Sequence, residues 1–333
     1  MGVSVGVIGA GGMGSRHGEN LARVPGVTIA AITDPDASAA RALARSVGAD
    51  VMGADELIAT VDAVVVASPD DTHAELAVSC IEAGKPLLCE KPMATSVDAA
   101  RGVVSAEVAR GRRLAQVGFM RVYDPAHRDL KTAVDAGAIG RPLHVRADHL
   151  NPPWIPRSAE RVIVQSAIHD FHSVRWLLDG EIERVQSLVV ERGEDSARLV
   201  QIQCWVSGGR GALIFVDAHA YGYEVSVELT GESGTAATDA ATGTEIRADF
   251  GRRRPVSDHW LDRFAAAYVA EAEAWAASVV VGAAPPGPSV WDGYVATCVA
   301  EAAVRSVITG EPETVDSGPR PALYDAVETE EQP

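Results

Sequence analysis

Val5-Gly6-Val7-Ile8-Gly9-Ala10-Gly11-Gly12-Met13-Gly14 is the stretch that decides the fold of the first half of the chain. An apolar run passes directly into the pattern G-x-G-x-x-G, and a helix-compatible stretch follows over residues 15–22. In such a pattern Gly9 permits a tight turn, Gly11 lets the backbone approach a pyrophosphate, and Gly14 lets helix and strand pack closely. The N-terminus of the following helix offers N–H groups and a positive dipole end to phosphates. The predicted cofactor contacts in this loop are Gly9, Gly11, Gly12, Met13 and Gly14.

A second apolar run, over residues 27–32, carries the signal for the kind of dinucleotide. It leads to Asp34, which lies twenty residues after Gly14. At this distance an acidic residue binds the ribose diol of NAD and repels the 2′-phosphate of NADP. The alternative is an aspartate that only ends a strand before a turn at Pro35. With the glycines in place, we predict a site for NAD, with NADP the less favoured cofactor.

Length and charge narrow the class of protein. A chain of 333 residues is long enough for two domains, each with its own core. The formal net charge of −17 argues against nucleic acid or an anionic membrane surface as a partner. A strand pattern already starts at Val3, and the longest apolar stretch is too short for a bilayer, so we expect neither an export signal nor a membrane segment.

The cysteines predict the redox environment. Cys80, Cys89, Cys204 and Cys298 lie far apart, with no CxxC pair and no histidine at metal-ligand spacing. This pattern is typical of reduced, mostly buried thiols in a cytoplasmic protein and predicts no metal site.

From residue 3 to about residue 120 the chain alternates short apolar runs with helix-length segments. The predicted strands cover residues 3–8, 27–33, 63–67, 86–89 and 113–117. Continuous apolar strands separated by helices predict an α/β fold, a doubly wound parallel sheet covered on both faces. Ligands bind at the carboxyl ends of such strands. Those ends are predicted at residues 9–14, at Asp34, and at residues 68–73, 90–92 and 118–121.

The second half has a different pattern, which predicts an α+β domain. A helix over residues 125–136 precedes a strand over 143–149, and a further helix carries His169. Two helices, over residues 256–281 and 290–309, close the chain, the second with a capping-box pattern at Ser289 and Asp292 and a glycine stop at Gly310. Alternating runs over residues 185–191, 198–206, 211–218 and 223–230, joined by glycine-bearing turns, predict an open, mainly antiparallel sheet. We therefore divide the chain into a cofactor-binding domain, 1–121, and a substrate-binding and oligomerisation domain, 122–333. Bulky apolar residues occupy both the odd and the even positions of these strands, so both faces of the sheet are expected to carry them. This pattern predicts that a second subunit covers the outer sheet face, in a dimer or a homotetramer.

Lys91 is the strongest candidate for chemistry. The chain has 29 Lys plus Arg, but only Lys85, Lys91 and Lys131 are lysines. Lys91 follows a short apolar run and precedes Pro92. The compact ammonium of lysine can pass a proton when its environment lowers its pKa, which arginine cannot do. The alternative is a surface lysine before a turn.

Several of these motifs together resemble the Gfo/Idh/MocA family of nicotinamide oxidoreductases, over nearly the whole chain. The motifs are GAGGMG at residues 9–14, Ser68-Pro69 with His73, Glu90-Lys91-Pro92, residues 118–125, and residues 167–170 with 175–178. The second half is most similar to the inositol 2-dehydrogenases of that family. This likeness rests on His149-Leu150-Asn151, Tyr221-Gly222-Tyr223-Glu224 and Trp291-Asp292-Gly293-Tyr294.

The resemblance implies reversible hydride transfer between NAD and a secondary alcohol of a cyclitol or sugar, with myo-inositol favoured. It implies that His169 transfers the proton and that Lys91 binds the reacting hydroxyl and the nicotinamide ribose. It also suggests a cis peptide bond before Pro92. The residues implied to hold other hydroxyls of the small polyol substrate are Arg121, His149, Asn151 and Tyr223.

Other readings of these residues stay open at this point. The alternative for His169 is a helix histidine that is packed inside the protein. The alternative for His149 and Asn151 is that they are ordinary polar residues at the end of a strand. Ser68, His73 and Glu90 are candidates for cofactor contacts on the predicted ligand edge. For His73 the alternative is packing at a helix start, and for Glu90 it is an ion pair.

Gln165 departs from the family pattern, which has an aspartate four residues before the catalytic histidine. We treat Gln165 as a substrate-binding candidate that bears on the choice of substrate. It favours, as an alternative, a sugar or aminocyclitol 3-keto oxidoreductase. A non-catalytic NAD-binding sensor is the alternative from another class, and the presence of Lys91 and His169 argues against it.

Overall fold

Two units make up the chain, and the chain passes between them more than once. The computed structural model describes residues 2–153, 158–191, 197–238, 246–248, 250–253 and 256–325. The first unit holds Met1–Gly118, Ala272–Val295 and Ser317–Pro333, and the second holds Phe119–Glu271 and Ala296–Asp316. The sequence-based division at residue 121 placed everything after it in one domain. The structure differs, because two later segments return to the first unit.

Long-range packing explains this return. Trp275 is fully buried in the same apolar cluster as Val5, which lies on the first strand of the chain. The carbonyl of Pro288 accepts a 2.8 Å hydrogen bond from the N–H of Val117. Such contacts join residues that are far apart in the sequence, so no local pattern indicates them.

The strands are β1 (Val3–Ile8), β2 (Val27–Thr33), β3 (Asp50–Val51), β4 (Ala63–Val66), β5 (Leu87–Cys89), β6 (Ala115–Val117), β7 (Pro142–Leu150), β8 (Ile182–Glu191), β9 (Ala197–Val206), β10 (Arg210–Asp217), β11 (Glu224–Gly231), β12 (Thr235–Ala237), β13 (Ile246–Ala248), β14 (Gly251–Arg253) and β15 (Glu313–Thr314). The helices are α1 (Gly12–Leu21), α2 (Ala37–Val47), α3 (Ala54–Thr60), α4 (His73–Glu82), α5 (Val97–Arg110), α6 (Pro125–Asp135), α7 (Ala159–Val162), α8 (Ile168–Leu178), α9 (Trp260–Arg263), α10 (Ala265–Val281) and α11 (Val290–Thr309).

A parallel sheet with the order β3-β2-β1-β4-β5-β6 forms the first unit, as predicted for a doubly wound fold. The last residues of the central strands lie in register: Ile8 pairs with Thr33 and Val66, and Cys89 pairs with Val66 and Val117. The residues that follow these strands therefore share one edge of the sheet. This is the edge at which α/β proteins bind ligands.

The second unit is built on a sheet with the order β12-β11-β7-β10-β9-β8-β15. Its neighbouring strands are antiparallel except for β10 and β7, which run parallel. This confirms the open, mainly antiparallel sheet predicted from the alternating runs. One face of the sheet is buried, and Ser187 of β8 joins it to the last helix through hydrogen bonds of 2.9 Å to Ala303 and Ser306.

The end of the chain follows its local signals closely. Ser289 and Asp292 form a reciprocal capping box, with hydrogen bonds of 2.8 Å and 3.3 Å between each side chain and the other's backbone N–H. The helix α11 ends before Gly310, which has a φ of +73°. That left-handed conformation suits glycine at a helix end.

Candidate active site

Gly9 and Gly14 shape the loop between β1 and α1. Gly9 has a φ of +100°, and a Cβ at this position would lie 2.4 Å from the carbonyl oxygen of Ala67. A Cβ at Gly14 would lie 1.8 Å from the carbonyl oxygen of Gly9. Both positions therefore require glycine for steric reasons, one for the turn and the other for the close approach of helix and strand.

Gly11 and Gly12 differ, because nothing in the described chain lies within 4 Å of a Cβ built at either position. Gly11 is the N-cap of α1, and among the described residues no side chain caps this helix end and no acidic residue lies in its first turn. The backbone N–H groups at this helix end therefore have no capping side chain among the described residues, and the space beside the two glycines is open. This cradle fits the pyrophosphate of a dinucleotide.

Asp34 lies beside this loop at the end of β2. One carboxylate oxygen accepts a 2.6 Å hydrogen bond from the N–H of Ala10, and the other accepts a 2.7 Å bond from the N–H of Asp36. These bonds fix the carboxylate, and each of its oxygens has a second lone pair for a ligand hydroxyl. A fixed negative charge here fits a ribose diol and opposes a 2′-phosphate.

Glu90 is paired with a histidine that the sequence analysis missed. His17 of α1 and Glu90 are both buried, with 2.7 Å between His17 Nε2 and Glu90 Oε1. The other carboxylate oxygen accepts a 3.1 Å hydrogen bond from the backbone N–H of Lys91. Burial raises the pKa of Glu90, but the hydrogen bond and charge of His17 and the charge of Lys91 outweigh it and hold the pKa below its ordinary value.

The burial of His17 could have been predicted from the sequence. Gly14, His17, Gly18 and Leu21 form the buried stripe of α1 at helical spacing, so a buried histidine needing a polar partner could have been inferred. The partner could not be inferred, because it lies seventy-three residues away in the chain.

His73 connects two loops on the same sheet edge. Its Nδ1 lies 2.8 Å from the carbonyl oxygen of Pro92, and its Nε2 lies 2.8 Å from that of Ser68. The Lys91–Pro92 peptide bond is cis, as the resemblance suggests. These contacts give His73 a role in holding the loop that carries Lys91. Cofactor contact by Ser68 and His73 remains a prediction.

In the second unit, the predicted substrate residues Arg121, His149 and Tyr223 form one buried cluster around Asp170. Arg121 donates from Nη1 to Asp170 Oδ1, and Asp170 Oδ2 lies 3.0 Å from His149 Nδ1. Arg121 Nη2 lies 3.2 Å from the same His149 nitrogen, and the Tyr223 hydroxyl lies 3.4 Å from His149 Nε2. The sequence analysis quoted Asp170 within a motif but gave it no role.

Two members of the cluster, Asp170 and Tyr223, have a defined charge state. Burial raises the pKa of Asp170, but the Arg121 guanidinium and His149 outweigh burial and lower the pKa to about 2. Burial raises the pKa of Tyr223 to about 12. At neutral pH the carboxyl group is therefore ionised and accepts only, whereas the phenol keeps its proton.

His169 lies on α8 and is buried. Its ring meets Phe119 edge to face with 6.0 Å between centroids, and His172 stacks on Phe119 at 4.4 Å. Gln165 is half-buried in a π-helical turn, Ile163–Ala167, that precedes α8. Such turns are often found at functional sites.

Asn151 follows β7 and is also buried, and its backbone N–H donates a 2.7 Å hydrogen bond to Asp217. The predicted residues thus fall into two groups, one at the carboxyl edge of the first sheet and one in the second unit.

In the described part of the chain, no group of three or more His, Cys, Asp or Glu side chains is arranged to hold a metal ion. None of the described helices has both the length and the apolar character needed to cross a membrane.

Comparison with known proteins gives a consistent result over 97% of the chain. A profile for an oxidoreductase family with an NAD-binding Rossmann fold, GFO_IDH_MocA, matches residues 3–119, and a GFO/IDH/MocA C-terminal domain profile matches residues 127–237. An inositol 2-dehydrogenase of Rubrobacter xylanophilus is 44% identical, with 97% of this chain and 96% of that protein covered. Inositol 2-dehydrogenase 1 of Saccharopolyspora erythraea is 42% identical, with 97% and 99% covered.

Among solved structures, the chain is similar to myo-inositol dehydrogenase from Lactobacillus casei, crystallised with NAD(H) and myo-inositol. The sequence identity is 33%, the TM-score is 0.93, and 97% of this chain and 100% of that chain are covered.

Proposed function

The chain belongs to the GFO/IDH/MocA family of oxidoreductases with an NAD-binding Rossmann fold, and on that premise we propose that it transfers hydride between NAD and a secondary alcohol of a cyclitol, myo-inositol above all. The observation that carries the proposal is its likeness, over 97% of its length, to a protein solved with both NAD(H) and myo-inositol. The open cradle at Gly11 and Gly12 and the fixed carboxylate of Asp34 support NAD as the cofactor.

NAD, when bound, supplies the acceptor for the hydride. The protein's own residues have to remove the hydroxyl proton and stabilise the negative charge that develops on the oxygen. We assign the proton to the imidazole of His169, since histidine exchanges protons near neutral pH. The ammonium of Lys91 is assigned to the developing alkoxide, as a charged hydrogen-bond donor.

The remaining hydroxyls of the substrate are assigned to polar side chains of the second unit. Arg121 supplies N–H donors, and Tyr223 supplies a hydroxyl group that both donates and accepts. His149 supplies a ring nitrogen. Asn151 and Gln165 complete the proposed set, each with an amide that can donate and accept. A polyol suits such a set because each of its hydroxyls can both donate and accept.

The test of this function is NADH absorbance, followed in both directions against inositols, inososes, hexoses and their keto forms. We expect the fastest oxidation with myo-inositol. Preference for a sugar or an aminocyclitol would favour a 3-keto oxidoreductase, the candidate supported by Gln165. Tight NADH binding with no turnover on any of these compounds would indicate an NAD-binding sensor.

Asp34→Ala should weaken NAD binding by roughly 10- to 100-fold, the effect of losing hydrogen bonds to a charged group. NADP binding should change far less, because the substitution also removes a charge that repels the 2′-phosphate. Dissociation constants for both cofactors, measured by fluorescence titration, test this. Asp34→Asn is the matched control, since it keeps acceptor capacity but lacks the charge. Equal losses for both cofactors in Asp34→Ala would contradict the NAD assignment.

Gln165→Asp is expected to raise myo-inositol turnover and to move the limb of the pH–rate profile that reports the base to higher pH. A carboxylate close to His169 would stabilise the imidazolium that forms during oxidation, which an uncharged amide does less well. Full pH–rate profiles on myo-inositol and on the best panel substrate give the answer. Gln165→Asn controls for the shorter side chain. Lower activity on every substrate would instead make Gln165 a specificity residue for a different alcohol.

A homo-oligomer, a dimer or tetramer, is proposed to form through the outer face of the second sheet. Trp205, Leu213 and Phe215 lie on this face and are only half-buried, and Leu188 is 60% exposed. Light scattering at micromolar concentration should give a dimer or tetramer. Phe215→Glu should dissociate it, whereas Ile308→Glu, at an exposed apolar residue of α11, should not. A wild-type monomer would contradict this proposal.

We also propose a cytoplasmic location. All four cysteines are buried free thiols, and burial raises the pKa of Cys80 to about 12. Unreactive thiols of this kind suit a reducing compartment.

A further inference from the structure

The second unit buries two clusters of the same composition, each with an arginine, an aspartate and a histidine. The clusters are Arg121 with Asp170 and His149, and Arg263 with Asp124 and His127. In each, the aspartate contacts both the arginine and Nδ1 of the histidine. The pKa of each aspartate is about 2, because its arginine and histidine partners outweigh the effect of burial.

The first cluster closes into a ring of hydrogen bonds through Tyr223. Arg121 hydrogen-bonds both Asp170 and the Tyr223 side chain. The Tyr223 hydroxyl lies 3.4 Å from His149 Nε2, and His149 Nδ1 lies 3.0 Å from Asp170. Every member of the ring is at most 4% exposed, so water does not replace these bonds.

The direction of each bond in the ring follows from the chemistry of its members. Arginine only donates, and an ionised aspartate only accepts. If His149 Nδ1 lacked a proton, two acceptors would face each other at 3.0 Å. Its proton therefore lies on Nδ1 and is donated to Asp170, in a charge-assisted bond that outweighs the 3.2 Å approach of Arg121 to the same nitrogen. In a neutral imidazole this leaves the lone pair on Nε2.

We propose that Asp170 is a positioning residue that holds His149 in the Nδ1–H tautomer, so that Nε2 presents an acceptor and selects for a donating hydroxyl on the substrate. The proposal rests on the proposed function, in which His149 and Tyr223 contact the polyol. It implies that a carbonyl or an ether oxygen at this position of the substrate is rejected, since neither can donate a hydrogen bond. The Tyr223 phenol keeps its proton. When that proton is donated to His149 Nε2, the phenol oxygen is left as an acceptor, so Tyr223 also favours a donating hydroxyl on the substrate.

The second cluster provides a matched control inside the same unit. Asp124 accepts from His127 Nδ1 at 2.6 Å and from Arg263 at 2.8 Å, and it also caps α6. Asn is an equally good helix cap, so Asp124→Asn removes a buried charge without removing the cap. This substitution should cost stability much as Asp170→Asn does, but it changes no residue that is assigned to the substrate.

The experiment compares wild type, Asp170→Asn and Asp124→Asn in two measurements. The first is the ¹⁵N spectrum of histidine-labelled protein, with His149 assigned by its loss in His149→Gln. We expect the proton on Nδ1 in the wild type and on Nε2 in Asp170→Asn, because the new amide can turn its NH₂ toward Nδ1. The second is steady-state kinetics with myo-inositol, alongside the affinity for NADH.

Asp170→Asn should lower kcat/KM by roughly 10- to 100-fold, mainly through KM, as expected for reversing hydrogen bonds to charged groups. NADH affinity should stay unchanged in all three proteins, and Asp124→Asn should keep the wild-type KM. An Nε2–H tautomer in the wild type would overturn the proposal, even if Asp170→Asn failed to fold. Equal rises of KM in both variants would also overturn it, since the effect would then be structural. If the wild type oxidised no cyclitol, the proposed function would fail, and the tautomer would still be decided by the spectrum.

Discussion

Lys91→Ala is expected to lower kcat for cyclitol oxidation by roughly 10²- to 10⁴-fold, the range typical of a charged donor or proton-transferring group at the reacting oxygen. Lys91 follows β5, and its backbone N–H is held by Glu90, which in turn is paired with His17. The loop should therefore keep its conformation when only the ammonium is lost. NADH affinity, measured separately, should fall much less than kcat.

Lys91→Arg should not restore activity, because the guanidinium is larger and stays protonated. Lys131→Ala is the matched control, since Lys131 forms a partly exposed helical pair with Asp135 at 2.5 Å. An Arg variant with near-wild-type kcat would mean that position 91 serves only to bind phosphate or ribose.

His169→Gln is expected to lower kcat by about 10²- to 10⁴-fold, the effect of losing a general base. Glutamine keeps hydrogen-bonding capacity and similar bulk, so packing against Phe119 should change little. The variant should also lose the limb of the pH–rate profile that reports the base. Stopped-flow measurement of hydride transfer, as NADH formation in a single turnover, separates this step from substrate binding.

His144→Gln is the comparison for this variant. His144 lies on β7, but it is half-buried and has no role in the proposed chemistry. The kcat of the His144→Gln variant should equal that of the wild type. A His169→Gln variant that retained the wild-type rate and pH profile would show that His169 is a packed helix histidine and that another group accepts the proton.

Local patterns in the sequence were sufficient for most of the fold. The strand β1 and the helix α11 have the predicted bounds, because an apolar run before the glycine loop and a capping box with a terminal glycine are local signals. The two-residue strand β3 was not predicted, since it is too short to have a pattern. The helix predicted over 256–281 is replaced by α9 and α10, interrupted at Phe264, whose side chain is fully buried.

The sequence predicted the positions of some candidate-site residues but not the contacts that join them. Positions at strand ends, such as Asp34 and Lys91, follow from the rule that parallel strands place their carboxyl ends on one edge. The bonds from Glu90 to His17 and from Asp170 to Arg121 join different elements, and no spacing in the sequence indicates them. Both pairs consist of polar groups buried away from water, where partners are required. Their identity depends on the tertiary fold.

Transfer of deuterium from the substrate carbon tests the central claim most directly. The protein would be incubated with NAD and with myo-inositol deuterated at every ring carbon, and the NADH formed would be analysed by mass spectrometry. If hydride passes directly from the substrate carbon, each NADH molecule formed in ordinary water should carry one deuterium. In Lys91→Ala and His169→Gln, the formation of deuterated NADH should fall together with the turnover. NADH without deuterium, or no NADH from any cyclitol at saturating NAD, would contradict the account.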